Sequence, residues 1–326
     1  MKIAIIGPGA IGRLLGYALA AGGHEVVMIC RREEQAERFW QDGVIYVDPD
    51  GQEHRATVQA AVGMSDDACT GLDGVLVTVK SYDTAAAARQ IAAVTTDAPV
   101  LSLQNGLGNA ETLARHLDPG RIALALTTHG ATAEGDSKVW HKGRGQTVIG
   151  SLAEHSTTAC LWADLLTACG HSAQLSDDIR REVWSKAMVN IGINPFTAVL
   201  GVQNGQLLQE PEILPLMQAA VAEAERAALA DGIVLEDSFL RVLEVCRNTA
   251  DNTSSMLQDL QKGRRTEIEA MCGVVVEIAE QSGFPAPYNF FLKKIVKKCE
   301  TKRLELSSLE VKGLFEQFFH KNLMDI

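Results

Sequence analysis

An α/β chain, with an N-terminal Rossmann-type doubly wound parallel sheet and an all-helical C-terminal domain, is what this sequence predicts. Three observations carry the prediction. A short apolar run, residues 2–6, stops at a glycine-rich turn that opens a helix. Strand and helix patterns then alternate as far as residue 175. Beyond Ile179, strand candidates almost vanish.

Taken in order, Lys2-Ile3-Ala4-Ile5-Ile6 is apolar and branched on both faces, as in a strand buried within a parallel sheet. From Ile11 to Ala21 the period becomes helical, with Ile11, Leu14, Leu15, Ala18 and Leu19 on one stripe, and Gly22-Gly23 ends it. Glu25 to Ile29 is a second strand, completing a βαβ unit. Gly74 to Val79, Pro99 to Leu103 and Ile122 to Thr127 read as further strands, with helices at Thr84 to Val94 and Glu111 to His116. Val44 to Val47, Thr147 to Ile149 and Ser172 to Leu175 are candidate peripheral strands, and Leu161 to Cys169 is helical. This alternation favours a mostly parallel sheet.

Helical patterns at 179–193, 212–231, 236–248, 264–282 and 288–304 occupy the rest. Asp177 or Asp178 is a candidate N-cap for the first of them, and Pro195 is expected to end or kink that helix. The expected domains are therefore 1–176 and 177–326. The stretch from Lys297 to Ile326 is basic and then apolar, and the sequence assigns it no role.

Composition narrows the function. The 326 residues are 46% hydrophobic and 22% charged, an ordinary globular balance. A net charge of −11 argues against nucleic-acid and anionic-membrane surfaces, since both would repel the chain. Seven scattered cysteines without a Cys-x-x-Cys pair read as reduced thiols. The N-terminal residues lack signal-peptide character and no apolar stretch reaches membrane-span length, so a cytoplasmic protein is expected. The eight histidines show no ligand spacing, and no metal is expected. His129 reads as a structural histidine.

Gly7-Pro8-Gly9-Ala10-Ile11-Gly12 is a G-x-G-x-x-G sequence in the required context, after a strand and opening a helix. The first glycine makes the tight turn, the second lets the backbone approach a pyrophosphate, and the third lets helix and strand pack closely. The helix N-terminus offers N–H groups and partial positive charge to phosphates. An acid at the end of the second strand would select NAD. This chain has Ile29-Cys30-Arg31-Arg32 there, and a guanidinium suits a 2′-phosphate. NADPH is the expected cofactor, with Arg31 or Arg32 on the phosphate.

Lys186, Asn190 and Asn194 fall at i, i+4 and i+8, along one face of the first C-terminal helix. A second polar cluster runs from Asn252 to Asp259 and on through Thr266-Glu267-Ile268-Glu269. Thr266 is expected to cap a helix through Gly273 to Gln281, with Glu267 in its first turn.

Several blocks together resemble the ketopantoate reductase family from residue 1 to about residue 300. They are Gly7-x-Gly9-x-x-Gly12, Val79-Lys80, Gln104-Asn105-Gly106-Leu107-Gly108, Trp184-x-Lys186 through Asn194-Pro195, Asn204-Gly205, Ser254 to Asp259 and Thr266-Glu267-Ile268-Glu269. The resemblance implies NADPH-dependent reduction of 2-dehydropantoate (ketopantoate) to (R)-pantoate, a step toward pantothenate and coenzyme A. In that reading Lys186 is the general acid for the carbonyl oxygen, and Glu267 orients the substrate and the lysine. Asn105, Asn190, Asn194, Asn204 and Ser255 hold the substrate. The cofactor lies on Gly7, Pro8, Gly9, Ala10, Ile11 and Gly12, with Arg31 at the 2′-phosphate, Lys80 and Asn105 by the nicotinamide or its ribose, and Ala131 a further cofactor contact. Two alternatives stay open: the same machinery acting on another 2-oxo acid, and a non-catalytic NADP(H)-binding regulator. The helical domain is a candidate surface for a homodimer.

Overall fold

The computed structural model describes residues 1–64, 66–153, 156–302 and 306–322. The chain divides into two compact units, Met1–Ile179 and Arg180–Ile326.

The first unit runs β1 (Lys2–Ile6), α1 (Ala10–Ala21), β2 (Glu25–Cys30), α2 (Glu33–Asp42), β3 (Val44–Val47), β4 (Glu53–Ala56), β5 (Gln59–Val62), α3 (Asp66–Cys69), β6 (Gly74–Val77), α4 (Thr84–Val94), β7 (Val100–Ser102), α5 (Asn109–Ala114), β8 (Ile122–Thr127), β9 (Gly130–Glu134), β10 (Lys138–Gly143), β11 (Thr147–Ser151), α6 (Thr158–Ala168) and β12 (Ala173–Leu175). Eight strands form one sheet in the order β12-β11-β8-β7-β6-β1-β2-β5. Every pairing is parallel except β8 with β11. Strand β1 is central, with Ile5 beside Met28 on one neighbour and Leu76 on the other. Burial on both faces is why it has no polar alternation.

A second sheet, β4-β3-β10-β9, was not foreseen, and Val44–Val47 belongs to it rather than to the edge of the large sheet. Its strands are short and carry charges, so the alternation that marks a half-buried strand is weak. The sheet lies against α1. The core of the unit is built from such fully buried side chains as Ile3, Leu15, Met28, Phe39, Leu101 and Trp162, each worth about 1.5–3 kcal/mol of burial.

A linked group of rings joins the two sheets. His129 and His141 share a hydrogen bond of 2.9 Å, and His141 meets the Tyr46 hydroxyl at 2.9 Å. His171 stacks on His129 at 4.3 Å between centroids and bonds Thr147 Oγ1 at 2.8 Å. Burial first, and then the neighbouring His129 and His141, push the His171 imidazole down to about 4. An unfolded histidine titrates near 6.5, so the unfolded chain takes up this proton first as pH falls. Stability present above about 6.5 is then lost progressively toward 4. Thermal melts across that range will show a steep acid decline, and His171→Gln will flatten it. An unchanged acid slope in that variant would count against this source.

The second unit holds α7 (Ile179–Leu200) apart from its first residue, then α8 (Leu214–Ala230), α9 (Ser238–Asn248), α10 (Ser255–Gln261), α11 (Cys272–Ser282), α12 (Pro287–Lys302) and α13 (Ser308–Asn322). Helix α7 does not stop at Pro195, which lies inside it. Residues 191–199 are all buried, and packing holds the helix past the missing N–H. The expected helix at 264–282 is also corrected. A single 3-10 turn, Ile268–Ala270, precedes α11. Thr266 therefore does not cap α11, and Glu267 turns inward at 5% exposure. The last two residues of the expected helix at 288–304 lie outside the described residues.

The tail without an assigned role supplies the end of α12 and the whole of α13, apart from residues outside the description. Ser307 and Glu310 cap α13 reciprocally, Ser307 N donating to Glu310 at 2.8 Å and Glu310 N to Ser307 Oγ at 3.3 Å. Phe315 of α13 stacks on Tyr288 at 4.5 Å and meets Phe291 edge-on at 5.2 Å, both on α12.

Candidate functional site

In the first unit the candidate cofactor residues sit on loops at the carboxyl ends of neighbouring strands. Gly7 follows β1, Arg31 follows β2, Lys80 follows β6 and Asn105 follows β7, while Ala131 lies on β9. In open α/β sheets this end of the strands is where ligands bind.

The glycine loop fits a dinucleotide phosphate. Gly7 has φ +94°, and a Cβ on it would stand 2.6 Å from Val79 N. A Cβ on Gly12 would stand 2.5 Å from Gly7 O and 2.7 Å from Thr78 Oγ1. At Gly9, by contrast, a Cβ would meet nothing nearer than Gly7 O at 3.9 Å, so the loop is open where a pyrophosphate would approach. Helix α1 has no acid in its first turn and no side-chain cap, which leaves its N-terminal N–H groups for an anion.

Several supports of this loop were not foreseen. Arg13 is 4% exposed, and its Nε donates to Pro8 O at 2.9 Å. Its Nη1 reaches Glu134 O, Gly135 O and Lys138 O at 2.8–3.2 Å. A buried guanidinium is tolerable only with its donors satisfied, and these acceptors tie the loop to the β9–β10 turn. Thr78 Oγ1 donates to Gly7 O at 2.7 Å. Gln104 Nε2 donates to Val79 O at 2.9 Å and Asn109 Nδ2 to Asn105 O at 3.0 Å, so the Lys80 and Asn105 loops are bonded together. A charged residue one place past Gly12, beside an apolar stripe, was the available signal for Arg13.

Both candidate phosphate arginines carry a carboxylate partner. Arg31 pairs with Asp83 at 3.0 Å with its side chain 82% exposed, and Arg32 pairs with Asp136. Glu33 and Glu34 occupy the first turn of α2, a favourable place for carboxylates.

In the second unit, Lys186, Asn190 and Asn194 lie along α7 as their spacing requires. Asn194 is buried and Asn190 partly so. Burial pushes the Lys186 ammonium down to about 8, against the pull of Glu267, which favours the charged form. That opposition brings Lys186 and Glu267 together electrostatically. Ser255 is the exposed first residue of α10. The preceding Ser254 caps α10 by accepting from Leu257 N at 3.1 Å, and Thr197 Oγ1 of α7 donates to Ser254 Oγ at 2.7 Å. Asn204 is 7% exposed, and its Nδ2 donates to Thr249 Oγ1 at 2.9 Å. That bond braces the 249–252 loop.

Among the described residues, no group of three or more His, Cys, Asp or Glu is arranged to hold a metal ion. No helix among them is long and apolar enough to cross a membrane.

Both the sequence and the fold match known proteins. A sequence profile described as ketopantoate reductase PanE/ApbA matches residues 3–154, and the C-terminal profile of the same family matches 178–300. The 2-dehydropantoate 2-reductase of Halobacterium salinarum is 37% identical over 303 residues, covering 92% of this chain and 99% of that one. A PanE/ApbA family ketopantoate reductase structure from Ralstonia eutropha JMP134 superposes with a TM-score of 0.85 at 31% identity, over 93% of this chain and 99% of that chain. The structure of D-mandelate dehydrogenase with NADH and anilino(oxo)acetate gives a TM-score of 0.85 at 26% identity, over 92% and 99%. With both profiles matched in order across most of its length, this chain belongs to the ketopantoate reductase family.

Proposed function

We propose that the protein reduces 2-dehydropantoate to (R)-pantoate with NADPH, a step toward pantothenate and coenzyme A. The observation that carries the reading is the Lys186 ammonium, brought to about 8 by burial and opposed by Glu267, on the helix that also carries Asn190 and Asn194. The unit Met1–Ile179 holds the cofactor, and the unit from Arg180 supplies the acid.

A reduced nicotinamide supplies the hydride when bound. Lys186 holds a proton at Nζ and gives it to the substrate oxygen as negative charge develops there. A carboxylate keeps that ammonium charged, and orients it. Asn190, Asn194 and Ser255 offer amide and hydroxyl groups to the oxygens of a 2-oxo acid. Gly7 through Gly12 would cradle the pyrophosphate, Lys80 and Asn105 would lie by the nicotinamide or its ribose, Ala131 would contact the cofactor, and Arg31 would take the 2′-phosphate in place of Asp83.

The likeness to D-mandelate dehydrogenase, solved with NADH, supports a second reading: another 2-oxo acid, with NADH. Consumption of NADPH and of NADH, each with ketopantoate and a panel of 2-oxo acids, separates the two. The first reading expects the highest kcat/KM for ketopantoate with NADPH. Arg31→Ala is expected to raise KM for NADPH about 10- to 100-fold, the loss of a charge-assisted contact, and to leave KM for NADH nearly unchanged. A preference for NADH in the parent protein would overturn the cofactor assignment.

A further inference from the structure

Glu267 stands on a segment with little regular structure of its own. Its backbone, at φ −97° and ψ 24°, enters the single 3-10 turn Ile268–Ala270. Helix α12 grips this segment on both sides of Glu267. On one side, Glu300 Oε1 accepts from Thr266 N at 2.8 Å and from Thr266 Oγ1 at 2.6 Å. On the other, Glu269 meets Lys297 at 2.6 Å and Lys293 at 3.7 Å. Lys293, Lys297 and Glu300 are spaced i, i+4 and i+7, one stripe of α12.

The two grips differ in strength. The lysine pairs are half exposed, with Glu269 at 43% and Lys297 at 41%, and such pairs contribute little singly. Thr266 is 2% exposed, and one carboxylate oxygen takes both of its donors. Charge-assisted bonds to a buried residue are the stronger kind. Thr266 Oγ1 also accepts from Ile268 N at 3.4 Å, so the grip passes across the residue between them, Glu267 itself.

We propose that Glu300 is a positioning residue for the reaction: by fixing Thr266 it sets where the Glu267 carboxylate stands relative to the Lys186 ammonium. The proposal rests on the roles given above to Lys186 and Glu267. Glu267 follows Thr266 directly in the chain, so a shift of that peptide carries the carboxylate with it. Coulombic support falls with distance. A Glu267 set loose no longer props up the Lys186 ammonium against burial, and the pH at which the lysine gives up its proton falls.

The experiment compares the parent with Glu300→Ala, Glu300→Gln and Thr266→Val, measuring kcat, KM, the alkaline limb of the pH–kcat profile, NADPH affinity and melting temperature. Glu300→Ala is expected to lower kcat about 10- to 100-fold, the scale of a small misplacement in a catalytic group. Its alkaline limb moves to lower pH, and NADPH affinity is unchanged. Glu300→Gln keeps an accepting oxygen without its charge and restores most of kcat and of the limb. Thr266→Val removes the hydroxyl bond to Glu300 and the bond from Ile268 N but keeps the Thr266 N bond to Glu300; it gives an intermediate loss and decides the matter if Glu300→Ala does not fold. A lower melting temperature with kcat per folded molecule and pH limb unchanged in these variants would make Glu300 merely structural and overturn the proposal. Lys186→Ala, run alongside, keeps the two failures apart. Full turnover there overturns the acid assignment and the positioning role with it, whereas loss of turnover there beside unaffected Glu300 and Thr266 variants overturns the positioning role alone.

Discussion

Lys186→Ala will lower kcat/KM for reduction of the 2-oxo acid by about 10²- to 10⁴-fold, the range of a positioned general acid, while NADPH binding stays as in the parent. The pH profile of the parent carries the same information. The acid must hold its proton before each turnover, and Lys186 holds it below about 8. Reduction is therefore expected to fall as pH rises through about 8, well below the range of an ordinary lysine. Lys186→Arg keeps positive charge but cannot release a proton in this range, so the loss should persist and that alkaline limb should vanish. Full turnover by a folded Lys186→Ala protein would remove the lysine from the mechanism.

The second large effect is expected at Gly7. Gly7→Ala must accommodate a side chain at φ +94° and place a Cβ 2.6 Å from Val79 N and 2.8 Å from Thr78 C. Both obstacles are backbone just past the carboxyl end of β6, the neighbour of β1, and neither can swing aside. A loss of more than about 2 kcal/mol in stability is expected from the combined strain and overlap, together with loss of dinucleotide affinity. Gly9→Val is the informative contrast. Gly9 faces open space, so the melting temperature should hold while NADPH affinity falls. Calorimetry with cofactor titration checks both. A Gly7→Ala protein with parental melting temperature and affinity would contradict this account of the loop.

Much of the first unit was legible because its signals are local. A both-faces-apolar run such as Ile3–Ile6 reports burial on two sides directly, and Gly7, Gly9 and Gly12 report backbone needs that no side chain can satisfy. The 3.6-residue period likewise put Lys186, Asn190 and Asn194 on one face of α7 without reference to any partner. The second sheet was hidden for the opposite reason. Strands such as Glu53–Ala56 and Gly130–Glu134 are short and lack apolar alternation. Each pairs with its neighbour in sequence, and only β3 with β10, far apart in the chain, joins the two hairpins into a sheet.

In the candidate site the division falls in the same place. Residue types and spacing supply a lysine, amides and a carboxylate, yet Glu267 does not stand in the first turn of α11 as its local context predicts. The residue before it, Thr266, is held by Glu300, which lies 34 residues further on and has no local mark of a role. Arg13 likewise owes its burial to carbonyls more than 120 residues away. Pro195 shows tertiary packing overriding a local rule, since the buried residues around it carry α7 on to Leu200. The sequence by itself determined the βαβ start, the phosphate loop, the helical second half and the chemical groups available. Only the tertiary structure decided which way Glu267 faces, what braces the loops, and how far burial lowers the Lys186 proton affinity. The reason is that periodicity and backbone preference act over a few residues, whereas desolvation and hydrogen-bond pairing depend on neighbours that the chain brings together only by folding.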